Sequence, residues 1–125
     1  MNDNPTPTFV FDLDGAMVIV LDRSEAERTE QQVRSRFGDA FLERHRFEVL
    51  GYAHLIFPGY FALLRWLTAR GVSLAFFSSG VEARNAPLVD QIMRRTFADA
   101  REPVPYRVFS RQHLSCPSFS SCSST

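Results

Sequence analysis

The chain has 125 residues, 45% hydrophobic and 22% charged, with a formal net charge of zero. That length suits about one domain, and the balance is that of a globular chain rather than a disordered one. Zero net charge gives no general attraction to nucleic acid or to an acidic membrane, so neither is an expected partner.

Residues 1–7 are polar and proline-interrupted, and read as a flexible leader without the basic-then-apolar order of a secretory signal. Thr8 to Phe11 is a β-favouring run that predicts a buried strand. Asp12 and Asp14 follow at once, and Gly15 breaks the pattern. Residues 16–21 are apolar again and suit a second strand or hairpin arm. The two aspartates also interrupt the apolar run too early for a membrane span.

From Arg23 to His45 the composition turns to Glu, Arg and Gln, which predicts helix; Ser24 with Glu27 fits a capping box, and Gly38 divides the region into two helices. Pro58-Gly59 punctuates the chain. Phe61, Leu64 and Leu67 then recur at helical spacing, with Gly71 as the stop. Residues 72–77, VSLAFF, form a continuous apolar run suited to a parallel strand covered on both faces. Ser78-Ser79-Gly80 ends it. Residues 81–100 read as a helix with Pro87 expected near its first turn, and Tyr106 to Phe109 as a third strand.

Strand, helices, strand, helix, strand predicts an α/β fold: a three-layer Rossmann-like sandwich around a parallel sheet. Ligands of such sheets sit beyond the carboxyl ends of the strands. Asp12, Asp14, Ser78 and Ser79 all fall at such ends. Two carboxylates facing one cavity can hold a hard cation such as Mg²⁺. One can then attack phosphorus while the other gives and takes a proton. The same spacing also arises in a plain Asp-Gly turn.

The stretch FVFDLDGAMV resembles the first motif of the haloacid dehalogenase (HAD) superfamily, a strand followed by Asp-x-Asp-Gly. FPGYFALLRWLTARGVSLAFFSSG resembles the second block of that family, a helix and an apolar strand ending in a hydroxyl residue. FFSSGVEARNAPLV and YRVFSRQHL are similar to its NLI-interacting-factor-like branch, which includes phosphatases of phosphoproteins. The resemblance implies a HAD-like domain over residues 8–114 with a small helical cap insert at about 22–56. It implies an Mg²⁺-dependent phosphate-ester hydrolase working through an aspartyl-phosphate. The cytoplasmic setting expected is read instead from the two cysteines, which are too few and too close to the end for a disulfide framework.

In that scheme Asp12 is the nucleophile and Asp14 the general acid/base, and both hold the metal. Ser78 bonds the phosphoryl group beside Gly80, with Ser79 a lesser substitute or a helix N-cap. The substrate is a phosphorylated small molecule or a phosphoprotein, and a small cap favours the latter. A dehalogenase or phosphonate hydrolase is the catalytic alternative, and a non-catalytic remnant or interaction module the other.

Two parts of the family pattern are missing. Its third motif brings a lysine, but all 14 basic residues of this chain are arginine. Arg111 is the substitute that sequence position suggests. Its fourth motif brings acidic metal ligands after the third strand; Asp90, Asp99 and Glu102 precede that strand and read as solvated charges. The chain ends SCPSFSSCSST, six serines in eleven residues. Residues 115–125 therefore read as a disordered tail and a truncated or frame-shifted end. Cys116 and Cys122 match no common zinc spacing. His45, His54 and His113 read as structural.

Overall fold

The computed structural model describes residues 6–110. The Ser-rich tail, Arg111, His113 and both cysteines lie outside the described residues. The elements are β1 (Thr8–Asp12), β2 (Val18–Val20), α1 (Arg23–Phe37), α2 (Asp39–His45), β3 (Arg46–Val49), β4 (Tyr52–Ile56), α3 (Tyr60–Ala69), β5 (Ser73–Phe77), α4 (Glu82–Thr96) and β6 (Tyr106–Phe109). The chain is thus mixed α/β, and the three strands expected of the parallel sheet are all present.

That sheet has the order β1-β5-β6. Phe11 pairs with Phe76 and Phe76 with Val108, so these residues share one face. Buried residues of α3 (Phe61, Leu64, Leu67) and of α4 (Leu88, Val89, Ile92, Met93) join Phe11, Leu74 and Phe76 in one core cluster. Val10, Ala75 and Arg107 share the opposite face, where Val10 is 56% exposed and Arg107 is exposed, while Ala75 on the central strand is buried. Among the described residues no helix covers that face. The expected α/β class and parallel sheet are present, while the described residues place both crossover helices on one face of the sheet. The strand order advances in one direction, and right-handed crossovers then deposit both α3 and α4 on the same side. Alternating elements in a sequence do not reveal strand order, so the second helical layer has no independent support.

The insert also differs from expectation. Only its first part, α1 and α2, is helical. Arg46–Val49 and Tyr52–Ile56 form an antiparallel hairpin that pairs with β2, in the order β2-β4-β3. One face of this sheet carries Val18, Phe47, Val49 and Ile56 into the main core. The other carries Ala53 and Leu55, which pack with Leu21 and Leu42 and with Ala26 and Val33 of α1. The sequence does carry a hairpin signal: RFEV alternates polar and apolar residues, and Leu50-Gly51 then supplies a two-residue loop. Both loop residues have positive φ, 54° at Leu50 and 80° at Gly51, as the mirror-image turns of tight hairpins require.

Two glycines act as expected. Gly38 separates α1 from α2. Gly71, at φ 76°, closes α3: its N–H donates to Thr68 and that of Val72 to Leu67, the paired bonds of a Schellman motif. Two cap assignments change. Asp22, not Ser24, caps α1 and accepts from the Ser24 N–H at 3.2 Å. Pro87 lies inside α4, in its second turn, where its absent N–H leaves one helical bond unmade.

Phe76 is the natural probe of this core. It is fully buried on the central strand, stacked on Phe11 at 5.5 Å between centroids and edge-on to Tyr106 at 6.2 Å. Phe76→Ala is expected to lower unfolding free energy by about 3–5 kcal/mol, read from denaturant midpoints at unchanged slope.

Candidate functional site

The turn after β1 explains the spacing of its aspartates. The Leu13 N–H continues the β1 ladder to the Phe77 carbonyl at 2.9 Å, and the Leu13 side chain is wholly buried. The Met17 and Val18 N–H groups both return to the Leu13 carbonyl, at 3.0 and 2.9 Å, with Gly15 at φ 79° inside the loop. Leu13 is therefore the anchor, while Asp12 and Asp14 on either side of it are exposed.

Asp14 is held by two other segments. Ser78, buried just beyond β5, donates its hydroxyl to Asp14 Oδ2 at 2.5 Å. Arg84, in the first turn of α4, donates Nη1 to Asp14 Oδ1 at 2.8 Å and Nη2 to Asp14 Oδ2. The fork is bidentate, the strong geometry for a carboxylate. Ser78 Oγ also accepts from the Gly80 N–H at 3.0 Å and from Arg84 Nη2 at 3.1 Å. A Cβ on Gly80 would come within 2.7 Å of Arg84 Nη2. The glycine is what lets the guanidinium lie across the loop.

The expected residues Asp14, Ser78 and Gly80 thus converge. Asp12 ends β1 opposite Phe77, with its side chain outside this network. Ser79 is not the N-cap of α4; that position is Val81, which makes no side-chain cap bond.

The cation at the site is Arg84, where sequence position suggests Arg111 in a chain without lysine. One signal in the sequence marks Arg84: a cation in a helix's first turn opposes the helix dipole and needs an anion nearby. Asn85 is a second residue that sequence reasoning misses. It is fully buried, and its Nδ2 donates to the Gly80 carbonyl at 3.1 Å and to Ser110 Oγ at 3.0 Å, tying the loop to the end of β6.

His54, on β4, completes the surroundings. Its Nδ1 donates to the Tyr52 carbonyl at 3.0 Å, which makes Nε2 the unprotonated nitrogen. Among the described residues Nε2 and Asn85 Oδ1 are buried without a hydrogen-bond partner. Asp14, His54, Gly80 and Arg84 line one cleft of about 360 Å³. A larger hollow of about 490 Å³, between the end of α4 and the approach to β6, contains none of them.

The hydrogen bonds from Arg84 hold the Asp14 carboxyl below the usual range, against a smaller opposing effect of burial and with further help from Ser78. Asp14 is therefore ionised at neutral pH. Burial pushes His54 and His45 down, partly offset by their backbone hydrogen bonds to Tyr52 and Phe41.

The histidine shifts set a pH dependence. Both imidazoles favour the neutral form when folded. Below about pH 6.5, the unfolded value, the unfolded chain takes up protons that the folded chain resists, and stability falls. The melting midpoint is expected to drop between pH 7.5 and 5.5, and less steeply in His54→Asn. An equal slope in that variant would show that His54 contributes nothing. Asp14 acts in a separate window. Its lowered value gives stability above about pH 3.9 that is lost as pH falls through the folded value.

Asp14 is not open to Mg²⁺ in this arrangement. Both Asp14 oxygens are engaged by Arg84 and Ser78, so a cation would have to displace a guanidinium of like charge. Among the described residues no three His, Cys, Asp or Glu side chains group as metal ligands.

Comparison with family models, with curated proteins and with solved structures found no match for this chain. No helix among the described residues is long and apolar enough to cross a membrane.

Proposed function

We propose that the cleft binds the phosphoryl group of a phosphate ester and that the chain follows the residue plan of a HAD-type hydrolase. The observation that carries this reading is the convergence of Asp14, Ser78, Gly80 and Arg84 where β1 and β5 end. The motif resemblance points the same way. A hydroxyl, a forked guanidinium and a helix N-terminus are the donors that a tetrahedral anion takes.

In the proposed reaction an Asp12 carboxylate oxygen attacks phosphorus and the bond to the ester oxygen breaks. Asp14 protonates that oxygen. Water then attacks the aspartyl-phosphate, giving its proton to Asp14 and releasing phosphate and free Asp12. The resting Asp14 is ionised and cannot donate. An incoming phosphoryl group offers Arg84 a second anion, and sharing Arg84 weakens its hold on Asp14 and raises the Asp14 pKa. Substrate arrival would therefore arm the acid. No step here depends on Mg²⁺, which remains the cofactor suggested by the resemblance. The substrate is a phosphorylated small molecule or a phosphoprotein.

The same Asp14–Arg84 pair favours a second reading, a phosphate-binding module with little turnover. Phosphoryl transfer relies on positioning and charge screening, and removing one preorganised electrostatic interaction slows such a reaction by about a hundred- to a thousand-fold. The described residues supply Arg84 but no acidic group from beyond β6. Trace hydrolysis of p-nitrophenyl phosphate is expected with or without Mg²⁺, together with saturable calorimetric binding of inorganic phosphate. Absence of phosphate binding would sink both readings; brisk metal-dependent turnover would sink only the second.

A further inference from the structure

The antiparallel sheet overhangs the proposed anion site with an apolar surface. On one face Val18, Ile56 and Phe47 enter the core. By alternation the same face continues outward as Val20, His54 and Tyr52, and the register sets Val20 against His54 and Val49 against Tyr52. The rim of this face does not pack away from water. Val20 is 46% exposed, Leu50 61% and Tyr52 43%, and Val81 faces them from the start of α4 at 44%. Four of the nine large apolar side chains exposed among the described residues therefore line the one cleft that also holds Asp14 and Arg84.

Leu50 adds an independent observation. It occupies a positive-φ turn position, where asparagine or glycine would be relaxed and soluble. The chain instead holds a leucine there, strained and facing water, at the mouth of the cleft. Arg23 stacks over the Tyr52 ring, 4.7 Å from its centroid, and braces it.

Resting on the phosphoryl-binding reading above, we infer that this rim selects the ester: the ligand is a small phosphate monoester with an apolar, aryl-like body. The phosphoryl group meets Arg84 and Ser78, and the body lies against Val20, Leu50, Tyr52 and Val81. The positive charge of Arg84 beneath an apolar rim matches an anionic head on an apolar body, not a sugar or a polyol.

Two probes of equal charge test this: phenyl phosphate and glycerol 1-phosphate, with affinities measured by calorimetry on the full chain. Phenyl phosphate is expected to bind at least about tenfold tighter, equivalent to about 1.4 kcal/mol. Leu50→Asn, which suits the positive φ, is expected to cut that ratio to about twofold, with the loss falling on the phenyl ester. Val81→Ser is the second variant should Leu50→Asn fail to fold. Equal affinities in the parent would overturn the inference and leave the anion site standing. Binding of neither ester would overturn the anion site and the inference with it. A ratio untouched by either variant would remove the rim from recognition. Dimerisation abolished by Leu50→Asn in sedimentation would make the rim an interface between two copies, which would also overturn the inference.

Discussion

Replacing Arg84 by Gln is expected to weaken inorganic phosphate binding by a hundredfold or more, while the protein stays folded. Two effects must be separated. For binding, the guanidinium is the one cation that the described residues bring to Asp14, and it presents a planar fork. Glutamine keeps one amide group and no charge. Without the charge-assisted fork most of the attraction for a dianion is gone, and the Asp14 carboxylate is left to repel it. For stability, the Asp14 side chain is 41% exposed and can turn to water, so its half of the pair costs less than about 1 kcal/mol. Removing a cation from the first turn of α4 also relieves an unfavourable interaction with the helix dipole. Arg84→Lys is the informative companion. It keeps the charge without the fork and is expected to fall between parent and Arg84→Gln. If Arg84→Gln binds phosphate as tightly as the parent, the cation has been misassigned.

How much of this can be read from the residues alone varies with the physical origin of each feature. Features written in local chemistry are legible. The continuous apolar run of β5 suits only a buried strand, Gly71 closes α3, and Gly38 breaks the α1–α2 helix. Asp14 and Ser78 are legible as a pair because both fall at strand ends, and parallel pairing of β1 with β5 brings those ends together. Features written in tertiary placement are not. The bare face behind Val10 follows from strand order, which no periodicity encodes. The β3–β4 hairpin leaves only a weak local trace, the alternation of RFEV before Leu50-Gly51, because a leucine stands where a tight turn usually has asparagine or glycine. Arg84 is hidden by its neighbours, since one arginine in a charged helix resembles any other until the fold sets Asp14 beside it. Its position in the first helical turn is the remaining trace.

Asp12→Asn is expected to abolish hydrolysis, and Asp14→Asn to halt it after the first chemical step. An amide at position 12 has no anionic oxygen with which to attack phosphorus, so no covalent intermediate forms. In the proposed reaction Asp14 acts twice, as acid towards the leaving oxygen and as base towards water, and such proton transfers contribute about 10²- to 10⁴-fold each. The two roles separate with p-nitrophenyl phosphate, whose leaving group departs as a stable anion and needs no proton. Asp14→Asn should then pass the first step and stall at the second. The expected result is at most one equivalent of p-nitrophenolate released per chain, with one phosphoryl group retained on the peptide containing Asp12 and found by mass spectrometry. The opposing expectation is equally definite. If Asp12 merely sits beside a phosphate-binding module, neither variant changes the background rate and no peptide gains a phosphoryl group. A phosphoryl group found on Ser78 in the Asp14→Asn protein would instead transfer the nucleophilic role to the hydroxyl that Asp14 now receives as a hydrogen bond at 2.5 Å. Exposure and hydrogen bonding favour the first outcome. Asp12 is open to solvent at the end of β1, while Ser78 is buried at 1% relative exposure and already donates its proton to the neighbouring carboxylate. A nucleophile must reach phosphorus along a free approach, and that requirement favours Asp12.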